Sequence, residues 1–599
     1  MRSFRSKRLA PLWVFFAFAL PAAFGGEPSA TLLRLVGDDV GLCVELSQLE
    51  TEIPAIMRSS LAQRIKSLQL YRDWLACEDF KKLVRSREAI EQAAGKPFEE
   101  LTYELVGKSV VVAVYPSTAK SLDAVLLTET AGDKTIDWLL ETWNRQQAYT
   151  TDALNHRGQT YYRRSRTKPK NRALETLYYL RLGPIFAVSD KESMMRRVID
   201  LHSAGQSASP AKENSPAVAV QNLYQTKLYH RSQQDLSKDC VARVYFNPRA
   251  CGASHELFAE KDDNPLRRLL ADYWKRCDAI GLGLRFDDGL IVELNAELDA
   301  TVERSLQAVT GPPDVLRRMP KNAAVAVAGR FDLRGMAQLL AEFAPERDRA
   351  EWSGFRQIAR GLLLGRDPLD DVLPALGPNW IACLVPRKSG GNDSDFPADG
   401  LVAFELSPDN DPQLASGKPT VRDALDNALS TGVNYLAAVH NGKSPVKAAV
   451  VKSAEDGSSV TRWIEHMGEF EPAYALMPDA VAVASSRRLA SQFGSASAPA
   501  GFADSPLYRE VQTKYLRYEN QLLLIDFAAL RNMMREHRPF FLRHAAHSDS
   551  AADTDGEKSM ARVDDVLRIF DVAFLAAQVN ERRVRLVAGS VLSDKTAQP

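Results

Sequence analysis

Gly95-Lys96-Pro97-Phe98-Glu99-Glu100-Leu101, followed by Gly107 and Val110–Pro116, returns as Gly365-Arg366-Asp367-Pro368-Leu369-Asp370-Asp371-Val372, followed by Gly377 and Ile381–Pro386. In both places a helical stretch ends at the glycine, a proline follows closely, and a strand begins soon afterwards. The recurrence predicts a tandem duplication. The recurring residues are glycines, prolines and apolar residues, which build backbone and core. We find no acid, base, nucleophile or metal-ligand set common to both copies, so the repeat predicts an architecture without indicating an activity.

Each copy is predicted to be an α+β module in which antiparallel sheet is covered by helices. Alternating apolar residues, such as Leu282, Leu284 and Phe286, are typical of strands in such a sheet. Helical stretches alternate with these strands in the same order in both copies. The predicted boundaries are a signal peptide at 1–25, a larger and a smaller subdomain of module one at 31–205 and 216–300, and those of module two at 316–494 and 506–595.

Two Ser/Ala/Pro-rich segments, Ser203–Pro216 and Gly494–Pro506, separate the predicted subdomains, and each ends in Ser-Pro. After the linkers the tripeptide Gln225-Thr226-Lys227 returns as Gln512-Thr513-Lys514. We interpret the two tripeptides as equivalent positions of the repeat.

The first residues predict export. Arg2, Arg5, Lys7 and Arg8 precede an apolar run from Leu9 to Phe24, and small residues suit cleavage after Gly25. The run is only about 15 residues long, against the roughly 20 that span a bilayer. We therefore expect a cleaved signal peptide, a periplasmic or secreted protein, and no transmembrane segment in the mature chain.

Composition excludes several classes of protein. The chain has 76 basic and 76 acidic residues. This balance lacks the excess of positive charge that is typical of proteins that bind nucleic acid. Six cysteines in 599 residues are too few for a disulfide scaffold, and there is no C-x-x-C pair. Cys251 and Cys277 are the best candidates for a single disulfide, because they flank one helical segment. No motif indicates a cofactor.

A basic run is the densest positive feature of the predicted mature chain, and its cations and tyrosines suit an anionic partner. It is predicted to be the end of a hairpin, and a solvated hairpin end with no ligand is the alternative. The candidate anion-binding residues are Tyr161, Tyr162, Arg163, Arg164, Arg166, Lys168, Lys170 and Arg172.

Two other clusters have the residue types of metal sites without the spacing. His537, His544 and His547, with Asp549 and Asp553, fit no ligand frame, and we interpret them as loop residues. Asn392-Asp393-Ser394-Asp395 with Asp399 and Glu405 is similar to a calcium loop, but Pro397 replaces an expected ligand. No metal-binding or catalytic residues are predicted.

The segment Val36-Gly37-Asp38-Asp39-Val40-Gly41-Leu42-Cys43-Val44-Glu45-Leu46, with the helix that begins at Leu49, and the segment Gly95–Gly107 resemble exported bacterial proteins grouped as a domain of unknown function. The resemblance covers most of each copy and rests on structural residues. It implies export and a duplicated layout, and it supplies no catalytic residues.

These observations favour an exported, non-enzymatic binding or envelope-associated scaffold protein whose partner is an envelope protein or an anionic polymer. An envelope hydrolase with a site assembled between the two modules is the alternative, because such a site leaves no motif.

Overall fold

The chain is seen here as a computed structural model that describes residues 29–106, 108–118, 121–130, 133–145, 149–166, 176–206, 221–251, 265–286, 289–299, 302, 314–343, 346–388, 396–407, 417, 419–455, 459–467, 470–494, 501–516, 521–546 and 553–592. The predicted signal peptide lies outside them. The described residues divide into two compact units, one drawn from Met1–Leu257 and Trp274–Asp299 and the other from Phe258–Tyr273 and Ala300–Pro599.

The described residues of the first unit form ten strands together with helices, as the α+β prediction expects. Its strands are β1 (Leu42–Ser47), β2 (Ser109–Thr118), β3 (Ser121–Glu129), β4 (Tyr149–His156), β5 (Gln159–Arg166), β6 (Thr176–Leu182), β7 (Ile185–Ser189), β8 (Ala242–Phe246), β9 (Cys277–Phe286) and β10 (Gly289–Leu298). Its helices are α1 (Ala30–Leu33), α2 (Leu49–Arg58), α3 (Ser60–Ser67), α4 (Gln69–Ala76), α5 (Glu78–Ala94), α6 (Phe98–Val106), α7 (Asp133–Asn144), α8 (Glu192–Gln206) and α9 (Lys227–Gln233). Helix α10 (Pro265–Lys275) falls in the segment where the chain passes between the units.

Every strand pair of the first unit is antiparallel, in the order β10-β9-β8-β1-β2-β3-β7-β6-β5-β4. Alternating apolar residues give the sheet two faces that each need covering. One face packs with α1, α8 and α9 in a core that contains Val111, Leu127 and Met195. The opposite face packs with α2, α6 and α7 through residues such as Leu49, Val106 and Ile136. Helices therefore cover the sheet on both sides.

The second unit also has ten strands: β11 (Val325–Arg330), β12 (Leu376–Pro386), β13 (Ala398–Leu406), β14 (Ala449–Glu455), β15 (Ser459–Glu465), β16 (Ala473–Leu476), β17 (Ala480–Ala484), β18 (Gln521–Asp526), β19 (Val572–Val579) and β20 (Arg583–Val591). Its helices are α11 (Leu333–Phe343), α12 (Glu346–Leu362), α13 (Leu373–Ala375), α14 (Val421–Lys443), α15 (Arg487–Gly494), α16 (Pro506–Tyr515), α17 (Phe527–Glu536), α18 (Arg538–Ala546) and α19 (Asp553–Leu567). The antiparallel order is β20-β19-β18-β11-β12-β13-β17-β16-β15-β14.

The strand orders of the two units therefore match, and so does their register. In the first unit one row of directly opposed residues runs across eight strands through Asn295, Gly281, Tyr245, Cys43, Ala113, Val125, Ser189 and Tyr178. In the second unit the corresponding row runs through Gly589, Phe574, Leu524, Ala326, Cys383, Leu401, Ala484 and Ala473. Each position in one sheet thus has an equivalent in the other.

The glycines of the quoted repeat have the backbone that a helix stop requires. Gly95 has φ +67° and Gly365 has φ +84°, in the left-handed region that favours glycine. After Gly365 the carboxylate of Asp367 caps a short turn of π-helix, accepting from the N–H groups of Leu369 at 2.9 Å and Asp370 at 3.0 Å. Local chemistry therefore places these helix boundaries.

The tripeptide equivalence predicted from Gln225-Thr226-Lys227 and Gln512-Thr513-Lys514 is wrong. The first tripeptide leads into α9, whereas the second lies near the end of α16. The helices themselves correspond, because Thr226 and Ser505 precede their first turns and the buried Tyr229 and Tyr508 follow three residues later. A short identical string carried less information than the helix boundaries around it.

The strands that follow the first linker share the sheet of the strands that precede it, since β8 pairs directly with β1. The same holds in the second unit, where β18 pairs with β11. The division of each module into a larger and a smaller subdomain stays a prediction. Among the described residues, no helix is both long enough and apolar enough to cross a bilayer.

Candidate functional site

The predicted anion-binding residues that the structure describes lie on β5, in a hairpin with β4 at the end of the first unit's sheet. Because successive side chains of a strand point to opposite faces, this run is divided between two surfaces. Tyr161 and Arg163 share the face of α8, whereas Tyr162, Arg164 and Arg166 share the opposite face. The run is therefore not one patch. Lys168, Lys170 and Arg172 lie outside the described residues.

Polar groups of the protein itself engage the residues on the α8 face. Tyr161 is buried, and its hydroxyl donates to Glu192 at 2.7 Å. Arg163 faces Asp152 across the β4–β5 pair and donates to its carboxylate at 2.8 Å. These contacts are typical of a structural sheet surface, where cross-strand ion pairs hold the register.

The opposite face brings two arginines together at one aromatic ring. The guanidinium carbon of Arg164 lies 3.8 Å from the centroid of Tyr149, and that of Arg166 lies 5.9 Å from it. Arg164 is buried, and burial lowers the pKa of its guanidinium. Beside them Tyr162 stacks on Tyr179 with ring centroids 5.1 Å apart. Arg166 is the more accessible cation of the pair.

At the described positions of the second unit that match by register, no such pair of cations occurs. By register, Ile464 takes the position of Arg164 on strand β15, and it is fully buried. Ala473 faces Trp463 where Tyr178 faces Arg163 in the first unit. At the described positions, two arginines at one aromatic ring of this hairpin therefore occur in the first unit and not in the second.

A second polar constellation, which sequence reasoning missed, lies inside the core of the first unit. Glu45 on β1 faces Arg243 on β8, which faces Gly283 on β9, which in turn faces Glu293 on β10. Glu45, Arg243 and Glu293 are each at most 6% exposed. We call these three residues the buried ionic row. Their spacing along the chain gave no signal, since only strand pairing brings them together.

Hydrogen bonds join the buried ionic row to the loop that precedes β8. Arg243 donates to the carbonyl oxygen of Ser237 at 2.6 Å, and the Ser237 N–H donates to Glu293 at 2.7 Å. Glu45 accepts from the N–H of Ser29 and, at 3.4 Å, from the Ser47 hydroxyl. Burial raises the pKa of the Glu45 carboxyl, against the opposing effects of the Ser29 N–H and the Arg243 charge.

Helix α9 covers the row at close range. A Cβ on Gly281 would overlap the carbonyl oxygen of Ser232, and a Cβ on Gly283 would overlap the sulfur of Cys240. Tyr229 of α9 is buried beside the row, and burial raises the pKa of its hydroxyl. The three side chains therefore form a buried polar layer beside α9.

One ion pair has an equivalent in both units. Asp278 at the start of β9 pairs with Arg249 at 2.9 Å, and Asp571, just before β19, lies 3.5 Å from Arg531. Arg249 lies in the segment after β8, and Arg531 lies in α17, which follows β18. The pair anchors the closing hairpin to that segment, and we assign it a structural role.

The described members of the two clusters considered for metal binding are not assembled into a site. His537 is buried and its Nε2 donates to the Arg387 carbonyl oxygen at 2.8 Å. Asp399 pairs with Arg387 and Arg488, and Glu405 accepts from Asn379. His547, Asp549 and residues 392–395 lie outside the described residues. Within the described ranges, no three His, Cys, Asp or Glu residues are arranged to hold a metal ion.

Cys251 and Cys277, the best candidates for a disulfide, are not joined in this structure, in which all six cysteines carry free thiols. Cys277 is buried, and its sulfur contacts the carbonyl oxygen of Ala279 at 3.6 Å. Burial raises the pKa of the Cys277 thiol to about 12, which makes it an unreactive core residue.

Comparison of the chain with protein-family models, with curated proteins and with solved structures gives no match.

Proposed function

We propose that the chain is an exported, non-enzymatic binding protein that carries an anionic partner on the terminal hairpin of its first unit. The observation that carries this proposal is the position of Arg164 and Arg166 at the ring of Tyr149, directly before the basic sequence that contains Lys168, Lys170 and Arg172. An aromatic ring that orders two guanidinium groups pre-organises them for an extended anion. The partner class is an acidic polymer or an acidic segment of an envelope protein.

We also propose that the chain is a tandem duplication, as the exported family it resembles implies. The matching strand order and register support this origin. A binding role without catalysis is supported by the engagement of Glu192, Asp152, Asp399 and Asp571 in protein contacts. Each of these carboxylates contacts another group of the protein, and we infer that these contacts stabilise the fold.

The binding test uses the full chain and fluorescein-labelled poly(L-glutamate), with labelled polyphosphate as a second probe. Arg166→Ala should weaken binding of a probe severalfold, and added salt should weaken binding by the wild type more than by the variant. Arg145→Ala is the matched control, because Arg145 is an exposed arginine of the same unit that pairs with Glu141. Equal binding by both variants would overturn the proposed surface.

Export is tested separately. N-terminal sequencing of the mature protein should begin at Gly26 or within a few residues of it, since small residues suit cleavage after Gly25. Recovery of the uncleaved chain from the cytosol alone would contradict the proposed location and leave the binding proposal standing.

A further inference from the structure

The two sheets share their register but differ sharply at the buried ionic row. The second unit has Ala328 where the first has Glu45, Leu522 where it has Arg243, and Val587 where it has Glu293. Ala328 and Val587 are fully buried and Leu522 is 6% exposed. One row is ionic and the other is apolar.

Matching registers create a folding problem for a chain that carries both sheets. Strand β8 has the length, direction and alternation to pair with β11, and β18 has those needed to pair with β1. Tandem copies of one fold are prone to exchange equivalent elements between copies. Backbone hydrogen bonds do not distinguish the two pairings, because every residue supplies the same groups.

The buried ionic row does distinguish them. If β8 paired with β11, the guanidinium of Arg243 would lie opposite Ala328, in an apolar layer without a carboxylate. If β18 paired with β1, the Glu45 carboxylate would lie opposite Leu522 and lose the charge of Arg243. A buried charge without its partner is strongly destabilising, whereas an apolar row in its own sheet is not.

The network also makes β8 and β10 act together. The carbonyl oxygen of Ser237 accepts from Arg243 on β8, and the N–H of Ser237 donates to Glu293 on β10. The loop before β8 therefore links the charged residues of these two strands. Glu45 on β1 completes that set. The polar contacts therefore select the partner strand for the whole group β8–β10.

We propose that the buried ionic row is a pairing-specificity device that directs β8 to β1 and prevents exchange of strands between the two copies. The proposal rests on the duplication proposed above and is independent of the proposed ligand. It assigns a role to three buried charges that neither catalysis nor ligand binding requires.

The test removes the difference between the copies in the full chain. The variant Glu45→Ala, Arg243→Leu, Glu293→Val gives the first unit the row of the second. Cysteine pairs report pairing after refolding under oxidising conditions, with linkages identified by mass spectrometry. Val44→Cys with Val244→Cys reports the native pair, and Val244→Cys with Val327→Cys reports the exchanged pair.

We expect the triple variant to raise the ratio of exchanged to native linkages at least about tenfold, a factor that corresponds to about 1.4 kcal/mol. Its stability to urea should equal or exceed that of Glu293→Val alone, because both variants lose the carboxylate that lies 3.4 Å from Arg285. Replacing the rest of the buried ionic set with apolar residues is often neutral or stabilising. An unchanged ratio in a folded variant would overturn the proposal. A marked loss of stability without exchanged linkages would also overturn it, by showing that the row only stabilises the first unit.

Two controls separate the possible failures. The linkages Val44–Val244 and Val327–Leu523, engineered singly in the wild type, should both form. Failure of either would contradict the strand register and therefore the duplication. If the triple variant does not refold, the double variant Glu45→Gln, Arg243→Met replaces it, because it removes both facing charges with little change in volume. The ratio of exchanged to native linkages is then measured in the double variant.

Discussion

At the scale of single residues, Arg163, Arg164 and Arg166 have different environments, although they are alike as members of one basic run in the sequence. Arg163 is partly exposed and paired, Arg164 is buried against Tyr149, and Arg166 lies at the edge of the same ring. The sequence predicts that replacing any of them leaves the fold nearly unchanged. Strand alternation assigned each side chain to a face, and neither the pairing partner nor the ring was visible in the run itself.

We expect Arg164→Ala to lower the free energy of unfolding by about 1–2 kcal/mol, because it removes a buried side chain and its contact with an aromatic ring. Arg163→Ala should leave the free energy of unfolding unchanged within error, since an exposed ion pair contributes little. Urea unfolding of both variants measures the difference. Equal losses would contradict the division of the run between two faces.

A second residue prediction concerns acid. Asp367 is buried, which by itself raises its pKa, but hydrogen bonds from Arg356, the backbone of Asp370 and Leu369, and Arg360 prevail and lower it to about 2. A folded-state pKa below the ordinary 3.8 gives stability that is present above that value and is lost as the pH falls towards 2.

The urea midpoint of the wild type should therefore drop between pH 5 and pH 2.5 by more than that of Asp367→Asn, which cannot titrate. The variant is also expected to be less stable at pH 5, because its amide holds no charge for Arg356 and Arg360. If the urea midpoints of the wild type and of Asp367→Asn fall by the same amount over this range, the Asp367 carboxylate does not cause the loss of stability in acid.

At the scale of elements, sequence reasoning placed the helix stops and hairpins well, because their signals are local. Gly95 and Gly365 have the predicted left-handed backbone, and the quoted strands Val110–Pro116 and Ile381–Pro386 lie within β2 and β12. Long-range pairing was not predictable in the same way. The residues of β8 do not indicate that it pairs with β1, and the side chains of the buried ionic row come together only through that pairing.

The contact of α9 with β9 gives a prediction at this scale. Gly281→Ala would bring a methyl group into the backbone of Ser232, which has no flexible end to move, so we expect a loss of about 1–3 kcal/mol. Gly400→Ala is the matched control in a strand of the second unit, where the nearest atom to a new Cβ lies 3.7 Å away. Thermal unfolding should separate the variants, and equal melting temperatures would contradict the close approach of α9.

At the scale of the whole molecule, the two units share a strand order and a register, and they differ in the chemistry of the buried ionic row. The sequence predicted matching units from glycines and prolines because those residues fix backbone geometry whatever side chains surround them. It did not predict that one copy is ionic where the other is apolar, since Glu45 and Arg243 are almost 200 residues apart in the chain.

The repeated plan predicts a repeated pattern of hydrogen exchange. β1 is paired on both sides, with β2 and β8, and β11 is paired with β12 and β18. In the described part of the chain, β4 pairs with β5 alone and β14 with β15 alone. Amides of a strand bonded on both sides exchange only through larger openings than those at the end of a sheet.

Exchange followed by mass spectrometry should therefore show two slow segments, Leu42–Ser47 and Val325–Arg330, and two fast ones, Tyr149–His156 and Ala449–Glu455. The contrast within each unit is its own control, because it is independent of any difference in stability between the units. Slow exchange in both terminal strands would contradict the strand order. Slow exchange in Tyr149–His156 that appears only when the anionic partner is added would instead locate that partner on the terminal hairpin of the first unit, where Arg164 and Arg166 meet the ring of Tyr149.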